Sequence, residues 1–176
     1  MTLEAEGTPD GCIRYAGVAI PRGDILTNRL GLCVMHPISA CGGAVDIEHT
    51  DGRHSVSSFP TLIPPWSPFM LVRAIRHEFA PGRWARCDFS GDLFEVEDQR
   101  NNADASFKTY SRSNMAPRPY LLRAGQEVRQ SVELRLEQKE VAAPLRSQPG
   151  RFRDMRHGTA FLAENGRSDR CERRRR

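Results

Sequence analysis

The sequence predicts an all-β fold: an antiparallel β-sandwich-type domain over residues 1–140, followed by a disordered Arg-rich tail over 141–176. Short apolar stretches of period two, separated by turns rich in Gly, Pro, Asn and Asp, are the main signal. The want of any long amphipathic helix or βαβ rhythm is the second. A change of character after Glu140 is the third, because Pro144, Pro149 and Gly150 lead into a stretch with neither period and few large apolar residues.

The clearest element is 126–137. Val128, Val132, Leu134 and Leu136 fall on one face, and Arg129, Ser131, Glu133, Arg135 and Glu137 on the other, as in a half-buried strand. Further strands are predicted at 12–20, 31–35, 54–59, 71–79, 83–89, 93–97 and 120–123, with turns at 50–52, 80–82 and 90–92. One short helix is predicted at 24–30, with Asp24 as its N-cap and Gly31 closing its C-terminal end.

Charge is placed unevenly. Residues 146–176 hold ten Arg against four acidic residues, which leaves sixteen basic and eighteen acidic residues before them. The predicted domain is therefore slightly acidic, and no nucleic-acid partner is expected, because nonspecific affinity for nucleic acid needs clustered Lys and Arg. The most apolar stretch, 59–72, is broken by Pro60, Pro64, Pro65 and Pro68 and is too short to cross a bilayer, so no membrane partner is expected. Five cysteines, an odd number, with no secretory h-region before them, argue against a disulfide framework and for a reducing cytoplasm.

Motif chemistry is sparse. Cys33, His36, Cys41 and His49 carry zinc-ligand chemistry, but their spacing fits no known finger, and in a strand Cys33 and His36 point to opposite faces; no metal and no cofactor is expected. The adjacent pairs Glu48-His49 and His77-Glu78 read as surface residues. The stretch 94–110 stands out, with Glu95, Glu97, Asp98, Gln99, Arg100, Asn101, Asp104, Lys108 and Tyr110 beside Phe94 and Phe107. Two readings compete. Convergent donors and acceptors beside an apolar wall suit a sugar-binding or interdomain network, whereas Asp98 with Arg100, or Asp104 with Lys108, suits a buried structural ion pair.

Within that stretch, Glu97-Asp98-Gln99-Arg100-Asn101 and Asp104-Ala105-Ser106-Phe107-Lys108-Thr109-Tyr110 resemble a run found in the D-apionate lactonase family. The blocks Asn28-Arg29-Leu30-Gly31-Leu32-Cys33-Val34-Met35-His36-Pro37 and Arg129-Gln130-Ser131-Val132 are similar to two others of that family, in the same order. The resemblance covers about residues 2–137; Asn102 departs from it, standing where the family carries an aromatic residue.

The resemblance implies hydrolysis of a sugar lactone to its acid by a longer protein. There a β-rich N-terminal domain precedes a barrel-type catalytic domain, which this chain lacks and which is its natural partner. It also implies that Met1 is an internal start, that the sheet is incomplete with an apolar face or edge uncovered, and that the tail comes from a shifted reading frame. No catalytic residue is assigned, because barrel enzymes carry theirs on barrel loops. Asp98, Gln99, Arg100, Asn101, Asp104, Lys108, Tyr110 and His36 are the candidates for binding the sugar lactone or sugar acid, or for contacting the second domain. The alternative is a non-catalytic carbohydrate-binding or structural β-sandwich.

Overall fold

The computed structural model describes residues 1–102 and 104–138. The expected tail over 141–176 lies outside them. The described residues form twelve strands: β1 (Thr2–Gly7), β2 (Cys12–Ala19), β3 (Ile25–Thr27), β4 (Cys33–Pro37), β5 (Ala44–His49), β6 (His54–Ser58), β7 (Phe69–Ala80), β8 (Arg83–Ser90), β9 (Phe94–Asp98), β10 (Ser106–Ser111), β11 (Tyr120–Leu122) and β12 (Val128–Gln138). Short 3-10 turns at Ile38–Ala40 and Gln99–Asn102 interrupt them. Among the described residues no helix is long and apolar enough to cross a membrane.

Ten strands make one antiparallel sheet in the order β1-β2-β12-β8-β7-β9-β10-β4, with the β5–β6 hairpin attached along β7; β3 and β11 form a separate ribbon. The sheet curls without closing, and β7 changes partner along its length. Its Ala74–Ala80 half pairs with β8, while Phe69 and Val72 pair with β9. Between those two contacts the register shifts, and Leu71 takes φ 54°, a left-handed conformation costly for a branched side chain.

The fold back encloses one core, to which Val45, Ile47, Ile75, Cys87, Phe89 and Val132 contribute from one side and Phe94, Val96 and Phe107 from β9 and β10. Burial alternates along β8, where Ala85, Cys87 and Phe89 face in and Trp84, Arg86 and Asp88 face out. On the outer face Arg76 bridges Asp46 at 2.8 Å and Glu137 at 2.6 Å and lies over the Trp84 ring.

The helix expected at 24–30 does not form. Ile25–Thr27 is β3, paired with β11, and the Asp24 carboxylate accepts a hydrogen bond from the Ala124 amide at 2.8 Å instead of capping its own segment. The β-branched Ile25 and Thr27 suit that pairing. The strands β1, β5 and β10 were not among those predicted. β1 is an edge strand exposed along its whole length, which leaves Leu3 partly in water, and β10 reads as polar because Ser106, Thr109 and Ser111 are buried through hydrogen bonds rather than through apolar surface.

Candidate functional site

The 94–110 stretch folds as β9, the Gln99–Asn102 turn and β10, which runs back antiparallel so that Phe107 faces Asp98 and Lys108 faces Glu97. Asp98, 2% exposed, ends β9. Its Oδ1 accepts from the Arg100 amide (3.1 Å) and Nε (2.9 Å), and its Oδ2 from Nη2 (2.6 Å). The same guanidinium donates to the carbonyls of Pro60 (2.8 Å) and Thr61 (2.9 Å) and lies over the Phe107 ring. Arg100 therefore ties the 59–62 segment to the β9–β10 hairpin with a planar fork that Lys cannot reproduce.

The Arg100 hydrogen bonds hold the Asp98 carboxyl below the usual range. That stabilisation is present above the ordinary carboxylate pKa and is lost as pH falls through the depressed value. Arg100→Lys is expected to raise amide hydrogen exchange several-fold at Phe59 and Gly42, whose amides bond Gly43 O and Phe59 O at the base of the segment, while leaving β8 and β12 protected; unchanged exchange at these two amides would contradict the tie.

The other residues of the stretch divide between core and surface. Gln99 is buried; its Oε1 accepts from Lys108 Nζ at 3.2 Å, and its Nε2 has no partner among the described residues. Lys108 pairs with Glu97 at 3.3 Å rather than with Asp104, whose carboxylate accepts from Ser106 Oγ at 3.1 Å. Asn101 is exposed, and Asn102 donates to Glu97 at 3.3 Å.

Glu95 is the least expected member of the cluster, a carboxylate with 0% exposure. It accepts from the Tyr110 hydroxyl, from Ser113 Oγ at 2.7 Å and from Ser67 Oγ at 3.3 Å. Tyr110 in turn accepts from Asn114 Nδ2 at 3.0 Å and lies beneath the Arg29 guanidinium, which donates to Asn114 Oδ1 at 2.8 Å. Burial, reinforced by the bond to Glu95, raises the Tyr110 phenol above its ordinary value, so it stays a donor.

His36 sits in the core, 2% exposed. Its Nε2 is 2.8 Å from Thr109 Oγ1, and its Nδ1 is 3.2 Å from Nε2 of His77. Both rings pack on Phe59. The expectation that His77 is a surface residue is thus overturned: alternation along β7 puts His77 on the inward face with Ile75. Glu78 remains half-buried and accepts from the Gly82 amide, Glu48 pairs with Arg86 and Arg73, and His49 is held between Met70 O and Ser55 Oγ. Of the four residues weighed as zinc ligands, Cys33 is exposed and Cys41 Sγ meets the Pro60 carbonyl, so each has a separate environment.

The three sequence blocks meet in space. Gln130 of β12 is buried on the apolar face; its Oε1 accepts from the Leu32 amide (2.9 Å) and Ser111 Oγ (2.8 Å), and its Nε2 donates to Leu30 O (3.2 Å). Gly31 lies between these groups, where an added Cβ would stand 1.8 Å from Ser111 Oγ, so a side chain there would break the clamp.

Beside the β9 turn opens a cleft of about 480 Å³ lined by Pro65, Trp66, Ser67, Met70, Glu97, Asp98, Asn101, Asn114, Met115 and Arg118. Trp66 is 82% exposed and Met115 69%. Of the sequence candidates, Asp98 and Asn101 reach this cleft, and His36, Gln99, Arg100, Asp104, Lys108 and Tyr110 do not line it. Trp66 is not among the sequence candidates; its place between Pro65 and the Ser67-Pro68 pair is the signal that could have found it.

The chain matches the family model described as D-apionate lactonase, N-terminal domain, over residues 1–139. The D-apionate lactonase of Brucella anthropi is 42% identical over 134 residues, which are 76% of this chain and 22% of that protein. The chain therefore spans about a fifth of the length of that relative. No solved structure matches. With the family model covering all of the described residues, the chain belongs to the D-apionate lactonase family, in its N-terminal domain.

Proposed function

We propose that residues 1–140 serve as the β-domain of a cytoplasmic sugar-lactone hydrolase that opens the lactone of D-apionate, the chemistry being carried by a barrel-type domain beyond this chain. The observation that carries the proposal is the match over 1–139 to an N-terminal domain, together with the 22% share of the relative's length. Lactone opening needs a base for the attacking water and donors aimed at the developing oxyanion. Here Asp98 is saturated by Arg100, and His36 is sealed in the core against Thr109 and His77. We read the 97–110 stretch accordingly as bracing that shapes the domain, with Asn101 at its accessible end.

The purified chain is expected to show no saturable hydrolysis of the lactone, because loss of even one oxyanion donor costs about 10²- to 10³-fold in rate. Fusion to the remaining part of the Brucella anthropi relative is expected to restore it. Saturable hydrolysis by the chain alone, abolished by Asp98→Ala in a protein that still folds, would place the reaction in the β-domain and overturn this reading.

A further inference from the structure

We propose that the Trp66 cleft is a binding site for a monosaccharide-sized polyhydroxy carboxylate, with the Trp66 ring as stacking wall and Asn101, Asn114 and Arg118 as polar contacts. At about 480 Å³ the cleft lies within the roughly 300–1,000 Å³ of small-molecule sites. Its lining combines two apolar groups, Trp66 and Met115, with amides and a guanidinium, the mixture a ring with apolar C–H faces and hydroxyl edges requires.

The site is built rather than incidental. The buried Glu95 carboxylate joins two walls from beneath, Ser67 of the Trp66 loop and Ser113 at the start of the segment carrying Asn114, Met115 and Arg118, and is itself held by the Tyr110 hydroxyl of β10 behind them. Asn114 is oriented by two further hydrogen bonds, to Tyr110 and from Arg29. The base of the Trp66 loop is pinned by Arg100 through Pro60 and Thr61. Walls fixed in advance lower the ordering cost of binding. Glu97 is paired with Lys108, Asp98 with Arg100, and the buried Glu95 is bonded beneath by three hydroxyls, so Arg118 is the charged donor in the lining that a ligand carboxylate would meet. The choice of a sugar acid within the class of polyols rests on the lactonase reading; the existence of the site does not.

The chain contains two tryptophans, and Trp84 lies on β8 under Arg76, away from the cleft lining. Trp84→Phe therefore leaves Trp66 as sole emitter. Titration of that variant with D-ribonate, D-ribono-1,4-lactone, ribitol and acetate is expected to give a saturable change of Trp66 emission with ribonate, a weaker one with the lactone and ribitol, and none with acetate. Arg118→Ala is expected to weaken ribonate about tenfold, as loss of one charge-assisted hydrogen bond does, and to leave ribitol unchanged. In the unmodified chain, shifts of the Asn101 and Asn114 side-chain amide resonances with the same ligands give a readout independent of the Trp84 substitution.

No saturable response to any of the sugars, or an equal response to acetate, overturns the proposal. So does a Trp66 response seen only when the remaining part of the relative is added, because the cleft is then a protein interface. Failure of the lactonase reading is read separately, from hydrolysis by the fused protein.

Discussion

Acidification from pH 7 to 5 is expected to destabilise the protein through His36 and His77. Burial and the neighbouring His77 push the His36 imidazole down to about 3 from 6.5, and burial lowers His77 as well. The physical reason is the contact between the rings. One proton satisfies the 3.2 Å bond between His36 Nδ1 and His77 Nε2, and a second would set two donors against each other in a buried site.

Because the folded values are depressed, the unfolded chain takes up protons that the native protein refuses. Stability is therefore fully present above about pH 6.5 and falls as pH drops from there towards 3, by about 1.4 kcal/mol per pH unit for each proton. Urea midpoints measured at pH 7.5, 6 and 5 should decline, and His36→Gln, which keeps a polar partner for Thr109 but cannot charge, should flatten the slope by about one proton. A midpoint independent of pH across this range would contradict the buried pair. The Asp98 contribution does not interfere, since it is lost only below the carboxylate range.

The strands legible in the sequence are those with one apolar and one polar face. β12 and β8 show this: Val132 and Leu134, or Cys87 and Phe89, alternate with charged residues that water can reach. β10 escaped because burial on both faces is achieved there with hydroxyls, and Thr109 and Ser111 are as inaccessible as Phe107 only because His36 and Gln130 complete them. The false helix at 24–30 shows the opposite failure, in which good local capping chemistry at Asp24 is used across a gap of one hundred residues.

The family blocks were legible as a pattern but not as a role. Gln130, Gly31 and Ser111 form a clamp joining one block to another and to the end of β10, and His36 meets Thr109 in the same way. Such a signature marks the fold's own polar fastenings. Of the two readings open for 94–110, the Asp98–Arg100 ion pair is present and the Asp104–Lys108 pair is replaced by Lys108 with Glu97. The buried position of Glu95 could not be read from alternation, since Phe94, Glu95 and Val96 are all inaccessible at the point where β9 passes between β7 and β10.

Phe59→Ala is expected to cost about 3–5 kcal/mol, a large share of the roughly 5–15 kcal/mol that holds a domain folded. Phe59 is fully buried, and its ring meets four others: Phe107 at 4.7 Å, His77 at 5.4 Å, Phe69 at 5.6 Å and His36 at 5.8 Å. Its backbone is fixed as well, through hydrogen bonds with Gly42 and Gly43, so little collapse into the cavity is available. Trp66, a larger ring seven residues on, is expected to behave differently. With most of its surface already in water, Trp66→Ala should change stability by no more than about 0.5 kcal/mol. Urea unfolding of the two variants beside the parent separates the ring that holds the sheet together from the ring displayed to solvent. A loss at Trp66 comparable to that at Phe59 would mean that the loop is part of the core, and that its exposed ring is not free to meet a ligand.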